Sequence, residues 1–290
     1  MLSLRHSSYL LRYIQMKILD GLELAGYIKE RQAKQVRALR QSWRVIPRLA
    51  IVRTGSNPVT DTYLRLKSSY GEDIEIEVDI YNPTDAELLA QIEKLNNDEK
   101  VQGIIIQLPL TDASQTEAAI NAVSPEKDVD GLDKNAVFTS ATAMAIDWLL
   151  VGYNIDLKDK KIAVVGNGRL VGAPLSKLWK VMGLDVSIYD DQTKDLANVL
   201  PTFDVIVAAA GVPGLITSNM IRNNAVVVDA GTASEGGKIV GDIAADVRER
   251  SDLTITPIRG GVGPLTVAAL FDNVITAARK IADQKGQQDI

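Results

Sequence analysis

The stretch Lys161-Ile-Ala-Val-Val-Gly-Asn-Gly-Arg-Leu-Val-Gly172, followed by Ala173-Pro174, constrains this chain more than any other. A short apolar run, Ile162 to Val165, reads as a buried parallel strand. It breaks into glycines at Gly166, Gly168 and Gly172, and a helical pattern follows. A strand, a glycine turn and a helix N-terminus together form an anion cradle. The helix start offers unpaired backbone N–H groups and a partial positive charge. Glycine lets the backbone approach a pyrophosphate with no Cβ in the way. The spacing Gly-x-Gly-x-x-x-Gly is one residue longer than the usual dinucleotide fingerprint, so on its own it also fits an ordinary strand-to-helix turn.

The following segments favour the nucleotide reading. Asp185-Val-Ser-Ile-Tyr-Asp190 is a second β-like run ending in Asp190-Asp191. An acidic residue about 20 positions past the glycines is where a ribose hydroxyl is held in such folds. Two more apolar runs, residues 205–210 and 225–229, each close near a glycine, Gly211 and Gly231. Apolar strands separated by helical stretches describe a doubly wound parallel sheet.

Composition narrows the chemistry. The chain has 290 residues, a net charge of −5, no cysteine and one histidine, His6. The acidic balance gives no footprint for nucleic acid. No window approaches the ~18 apolar residues of a membrane span. Without cysteine there are no disulfides, Cys nucleophiles or Cys-held metals, and the position of the one histidine, His6, in the N-terminal segment argues against a Ser-His-Asp triad or a His-ligated metal. Acid–base work falls to Lys, Tyr, Asp or Glu. Residues 1–15 contain Arg and Ser and no acidic residue. That composition is shared by organelle transit peptides, but an N-terminal extension of a cytoplasmic protein is the reading adopted here.

The first half is also α/β. Residues 22–42 have helical periodicity, residues 47–52 read as a strand, and Thr60 to Tyr70 as a helix behind Asn57-Pro58. Residues 74–78 alternate as a strand. Thr84 to Leu95 reads as a helix capped by Thr84 with Glu87 three residues on, and residues 101–106 as a buried strand. Residues 146–151 belong to a connecting helix, and Thr266 to Gln284 to a final one. The expected architecture is α/β with two domains. Residues 1–150 form a substrate and catalytic domain, completed by 266–290. Residues 151–265 form a Rossmann-like doubly wound nucleotide domain, and the C-terminal helix returns to the first. Small-molecule sites favour the cleft between such domains.

Chemistry-bearing residues recur at the expected edges. Tyr63 and Lys67 share a helix face, although an i, i+4 pair of long side chains is also what a solvated face shows. Gln107 stands where a strand ends, and Pro109 prevents its continuation. Lys127-Asp-Val-Asp-Gly131 sets two carboxylates in a turn, which in isolation reads as a solvated Asp-Gly turn.

Taken in order, Tyr63-x-x-x-Lys67, Gln107-Leu-Pro-Leu110, Lys127-Asp-Val-Asp-Gly131, Gly166-x-Gly-x-x-Val-Gly172-x-Pro174 and Gly260-Gly-Val-Gly-Pro-Leu-Thr266 resemble the bifunctional methylenetetrahydrofolate dehydrogenase/methenyltetrahydrofolate cyclohydrolase family. The resemblance extends over roughly residues 16–285. It implies NAD(P)-dependent oxidation of 5,10-methylenetetrahydrofolate to the methenyl cation, then hydrolysis to 10-formyltetrahydrofolate. Tyr63 would lie against the substrate's rings, Lys67 would act as general acid/base, Gln107 would set its protonation, and Asp130 would accept hydrogen bonds from the pterin. Gly263, Pro264 and Thr266 would complete the substrate site. Gly166, Asn167, Gly168, Arg169, Val171, Gly172, Asp190, Asp191, Gly211 and Thr232 would hold the cofactor. A homodimer is implied as well. A dehydrogenase that has lost the hydrolysis, and a non-catalytic folate- or nucleotide-binding relative, are the alternatives.

The departures from the family pattern are specific. The segment usually written Pro-(Cys/Ala)-Thr-Pro-x-Gly is here Ser140-Ala-Thr-Ala-Met-Ala145, which predicts a looser cleft loop. Arg259 replaces a proline. In the glycine loop the usual Gly-Arg-Ser is Gly166-Asn167-Gly168, and a His-Ser-(Arg/Lys)-Thr run is Asp190-Asp191-Gln192-Thr193. An NADP 2′-phosphate beside two carboxylates meets like charge, and one close pair costs about 4 kcal/mol at an effective dielectric near 20. Arg169 is the nearby cation able to offset this. The expectation is therefore a preference for NAD over NADP.

Overall fold

The computed structural model describes residues 16–55, 58–235 and 238–288. The N-terminal extension, residues 1–15, and the Ser56-Asn57 part of the turn before the Tyr63 helix lie outside the described residues.

The chain begins with β1 (Lys17–Ile18) and α1 (Gly21–Ser42). Asp20 caps α1, its carboxylate accepting the N–H groups of Leu22 and Glu23 at 2.9 and 3.0 Å, which leaves fewer unpaired donors at the helix start. There follow β2 (Arg48–Val52), α2 (Pro58–Asp73), β3 (Glu77–Tyr81), α3 (Leu88–Asn96), β4 (Gly103–Ile106), α4 (Thr116–Ala122) and α5 (Ala141–Gly152). The second half contains β5 (Lys161–Val165), α6 (Gly172–Val181), β6 (Asp185–Tyr189), the short α7 (Leu196–Val199), β7 (Val205–Ala208), β8 (Val226–Asp229), β9 (Ala233–Glu235), β10 (Lys238–Val240) and β11 (Thr254–Ile255). The long α8 (Val262–Gln288) ends the chain.

Three strands form a parallel sheet in the order β3-β2-β4, and six form a second in the order β1-β11-β8-β7-β5-β6. Strands β2, β4, β5 and β7 are apolar throughout their buried lengths, as parallel strands covered on both faces require. The strand β1 lies in the segment assigned from sequence to the first domain. It instead pairs in parallel with β11 at the edge of the second sheet. A two-residue strand carries no periodicity to reveal this.

Two local expectations shift. Ile74 and Ile76 alternate, but both are buried beneath the extended end of α2, and the strand starts only at Glu77. Glu75 between them adopts a left-handed φ of 63°. The Thr84–Glu87 pair forms as read, the Glu87 carboxylate accepting the Thr84 N–H at 3.1 Å, yet regular α-helix begins three residues after Glu87's partner would suggest, at Leu88.

Helix α8 returns to the first half, packing along α1, α2 and α5. Buried Gln32 of α1 ties this junction together. It donates to the Ala268 carbonyl at 2.8 Å and to Asp272 at 3.1 Å, and accepts from the Tyr70 hydroxyl at 2.8 Å. Each of these satisfies a polar group that burial would otherwise leave at a cost of about 1–3 kcal/mol. Asn273, also buried, donates to the carbonyls of Val129 and Thr139 at 2.8 and 3.0 Å. The last helix thereby fixes both ends of the segment that contains Asp130.

Ser140-Ala-Thr-Ala-Met-Ala145 does not form the loose cleft loop expected from its lost prolines. Ser140 stands at the N-cap position and the rest forms the first turns of α5, with Ala141, Ala143 and Ala145 fully buried. Alanine is the best helix former, and its small side chain lets α5 approach α8 closely.

Candidate active site

Strand β4 ends at Ile106, and the next residue is the first of the candidate site. The Gln107 N–H still donates to the Val52 carbonyl at 2.8 Å, extending the β2–β4 ladder by one bond. The following Leu108–Pro109 peptide is cis. The Gln107 carbonyl oxygen Oε1 accepts from Lys67 Nζ at 2.9 Å, and its amide nitrogen donates to the Leu108 carbonyl at 3.0 Å. That second bond fixes the amide orientation, so the oxygen faces the lysine.

Lys67 and Tyr63 lie one turn apart on α2. Burial pushes the Lys67 ammonium below the usual lysine value, and the nearby Asp130 carboxylate opposes that shift. Burial likewise raises Asp130, against the pull of Lys67, and raises Tyr63. The two charged groups sit where water no longer solvates them fully, so each depends on the other for its charge. A lowered pKa makes the amine form available at a lower pH than in free lysine, which is the direction general acid/base work needs.

The two carboxylates of Lys127-Asp-Val-Asp-Gly131 have separate tasks. Buried Asp128 accepts the N–H groups of Gly131, Leu132 and Asp133 at 3.0, 2.9 and 2.8 Å. Burial pushes its pKa up to about 6, against these donors. Lys127 anchors the turn by donating to the carbonyls of Leu95 and Asp98. Gly131 has a φ of +68°, and a Cβ there would lie 2.7 Å from the Ser140 nitrogen. The turn is thus built by Asp128, Lys127 and Gly131, leaving Asp130 free to face Lys67. Gly263, Pro264 and Thr266 lie in the first turn of α8. Thr266 donates to the Val262 carbonyl at 3.3 Å. Among the described residues none of the three hydrogen-bonds Lys67, Gln107 or Asp130.

The second sheet gathers the nucleotide-site residues at its carboxyl edge. Gly166 follows β5 with a φ of +108°, and a Cβ there would lie 2.2 Å from the Ala209 carbonyl oxygen. A Cβ at Gly172 would lie 1.8 Å from the Gly166 oxygen. These two glycines are required by the chain's own packing. A Cβ at Gly168 meets nothing within 4 Å, so that position faces open space. Val171 precedes α6 at its N-cap position. The Gly166 N–H donates to the Tyr189 carbonyl at 2.6 Å, which brings the exposed Asp190 and Asp191 beside the loop. Asp190 accepts from the Gln192 N–H at 3.1 Å. Exposed Asn167 and Thr232 and the backbone of Gly211 complete the edge. Arg169 does not turn toward Asp190 and Asp191. It forms an ion pair with Glu117 of α4, bridging the two halves.

A buried cluster behind this edge escaped the sequence reading. Asp242 accepts the N–H groups of Ala210 and Gly211 at 2.6 and 3.0 Å. Burial holds its pKa above the ordinary carboxylate range. Asp229 accepts the Asp242 N–H at 3.0 Å and is paired with Arg248 at 3.0 Å. Gly231 and Gly241 are needed here because a Cβ on either would overlap a carboxylate of the pair. The sequence signal was the strand-end Asp229 and the Gly-Asp pair at 241–242, but the amides they hold lie far away along the chain.

Comparison with known proteins decides the family. The catalytic-domain profile of the tetrahydrofolate dehydrogenase/cyclohydrolases matches residues 19–130, and the profile of their NAD(P)-binding domain matches residues 140–282. The chain belongs to the tetrahydrofolate dehydrogenase/cyclohydrolase family. The bifunctional protein FolD of Staphylococcus aureus (strain Newman) is 34% identical over 277 residues, covering 91% of this chain and 96% of that protein. Among solved structures, the bifunctional FolD of Campylobacter jejuni is 35% identical with a TM-score of 0.86, covering 91% of this chain and 99% of that one. The FolD of Trypanosoma brucei, solved with NADP and an inhibitor, is 29% identical with a TM-score of 0.85, covering 92% and 98%. The open position at Gly168, the helix start at Gly172 and the strand-end carboxylates are the features an NAD(P) cradle needs. The family's dinucleotide fits the residues present. Among the described residues no helix is long and apolar enough to cross a membrane.

Proposed function

We propose that this family member oxidises 5,10-methylenetetrahydrofolate with NAD in preference to NADP, and hydrolyses the methenyl cation to 10-formyltetrahydrofolate at Lys67. When bound, the nicotinamide cofactor accepts the hydride. The protein's part is to hold the folate against Tyr63, with its pterin on Asp130, and to manage one proton at Lys67 Nζ. Water adding to the methenyl carbon must lose a proton. The neutral Lys67 amine takes it, and a neutral amine also avoids like-charge repulsion with the cationic substrate. Gln107 Oε1, at 2.9 Å, orients that amine. The resulting ammonium returns the proton as the ring C–N bond opens. The observation that carries this reading is Lys67, its pKa lowered by burial, bonded to Gln107 and within the electrostatic reach of Asp130.

The residue roles divide along the two sheets. Residues 19–150 with 266–288 supply the folate side, with Gly263, Pro264 and Thr266 closing it. Residues 151–265 supply the cofactor side through Gly166, Asn167, Gly168, Val171, Gly172, Gly211 and Thr232. Asp190 and Asp191 favour a free ribose diol over a phosphate. The loop's cation, Arg169, is engaged by Glu117 instead of facing them. A homodimer and a cytoplasmic location accompany the reading on family resemblance alone.

The test is the oxidation assay with the two cofactors side by side. NAD should give the higher kcat/KM; a tenfold or greater preference for NADP contradicts the assignment of Asp190 and Asp191.

A further inference from the structure

A cavity of 190 Å³ opens beside Gln107, on the side that leads toward the N-terminus of α2. Its lining includes Arg53, Thr54, Gly55, Thr60, Gln107 and Thr111. These residues leave β2 and β4 at the carboxyl edge of the first sheet, where open α/β sheets place ligands. The volume exceeds the ~30 Å³ share of one water several-fold, enough for a carboxylate with accompanying solvent.

The walls are built rather than incidental. Thr54 is buried and its hydroxyl oxygen accepts the Thr111 N–H at 2.8 Å, tying the β2 exit to the β4 exit. Gly55 has a φ of +71°, and a Cβ there would lie 2.5 Å from Thr111 Oγ1, so the wall closes only around glycine. Arg53 is paired with Asp61 through one guanidinium nitrogen, Nη1. Its Nε is buried and has no acceptor among the described residues. A guanidinium carries five donors in a fixed fork, and the pair with Asp61 engages only part of it, leaving Arg53 as the charged side chain of the cavity wall. The first turn of α2 adds its own partial positive charge.

Position along α2 identifies what arrives there. Lys67, Tyr63 and Thr60 follow one another toward the helix start. At ~1.5 Å per residue, Thr60 lies about 10 Å from Lys67 along the axis. A folate reacting at Lys67 with its aminobenzoyl ring on Tyr63 projects its glutamate in this direction. We propose that the Arg53 cavity is a carboxylate subsite that takes the glutamate tail of the folate substrate. This rests on the folate reading above and assigns Arg53 as a specificity-determining residue, one that binds the tail without touching the reacting carbon.

The experiment compares 5,10-methylenetetrahydrofolate with the tail-free 5,10-methylenetetrahydropteroate, in the full-length enzyme and its Arg53→Met and Arg53→Lys variants. The measured quantity is the ratio of kcat/KM for the two substrates. Partial misfolding lowers both values together and leaves the ratio intact. Loss of a charge-assisted contact should lower the ratio about tenfold or more in Arg53→Met, and less in Arg53→Lys, which keeps the charge. An Arg53→Met ratio equal to that of the unmodified enzyme would overturn the subsite while leaving the folate reading in place. No turnover of either substrate by the unmodified enzyme would overturn both.

Discussion

Individual residues in this chain divide by whether the fold or a ligand requires them, and the glycine loop separates the two cases. Gly166 and Gly172 are pressed against backbone, whereas Gly168 faces open space. Gly166→Ala and Gly172→Ala should each destabilise by more than ~1 kcal/mol, because a forbidden φ or a backbone collision cannot relax as a side chain does. Gly168→Ala should keep the melting temperature and raise the KM for the dinucleotide. Equal melting temperatures for all three variants would contradict this division. At Lys67 the prediction concerns pH. Burial lowers its pKa, so the amine form appears at a lower pH than in free lysine, and the hydrolysis rate should rise with pH along that titration. Gln107→Glu sets a negative charge against the ammonium and favours the protonated form. The rising limb should therefore move to higher pH. A limb that stays in place would remove Gln107 from the control of Lys67. Lys67, Gln107 and Asp130 were singled out by the ordered family motifs, since a helix-face pair, a strand end and an Asp-Gly turn each read as ordinary surface in isolation. Asp242 was not, since what makes it matter is a pair of amides contributed by another loop.

At the scale of elements, parallel strands announced themselves through unbroken apolar runs, and helices through their periodicity. The failures have physical causes. Ile74 and Ile76 alternate like a strand, but the alternation serves to bury both under the end of α2. The segment 140–145 lacks prolines and forms the packed start of α5 rather than a loose loop, with α8 lying against it. Helix α6 depends on a residue whose weight the sequence alone did not reveal. Trp179 is fully buried, and its indole N–H donates to Asp147 of α5 at 2.9 Å. Trp179→Ala should cost about 3–5 kcal/mol through the cavity it leaves. Trp179→Phe, which keeps most of the volume and loses the donor, should cost much less. Denaturant melts of the two variants measure the difference, and equal losses would contradict the packing argument.

At the scale of the whole molecule, several segments cross between the two sheets. β1 leaves the first half of the sequence to pair at the edge of the second sheet. Helix α8 starts near the turn that contacts α1, with a Cβ on Gly21 falling 1.8 Å from the Gly261 oxygen. It then runs back to hold the Asp130 segment through Asn273. The Arg169–Glu117 pair joins the glycine loop to α4. Partly exposed, it contributes no more than about 1 kcal/mol, so it biases the arrangement without locking it. The two-sheet architecture was readable from the alternation of strands and helices. The crossings were not, because each depends on a contact between residues far apart in the chain. The central claim for the assembled molecule is that a single desolvated lysine performs the hydrolysis while the dinucleotide side performs the oxidation. It is tested most directly by adding 5,10-methenyltetrahydrofolate to Lys67→Met and following its absorbance. The account predicts that enzymatic hydrolysis disappears into the uncatalysed background. Hydrolysis at the rate of the unmodified enzyme would contradict it.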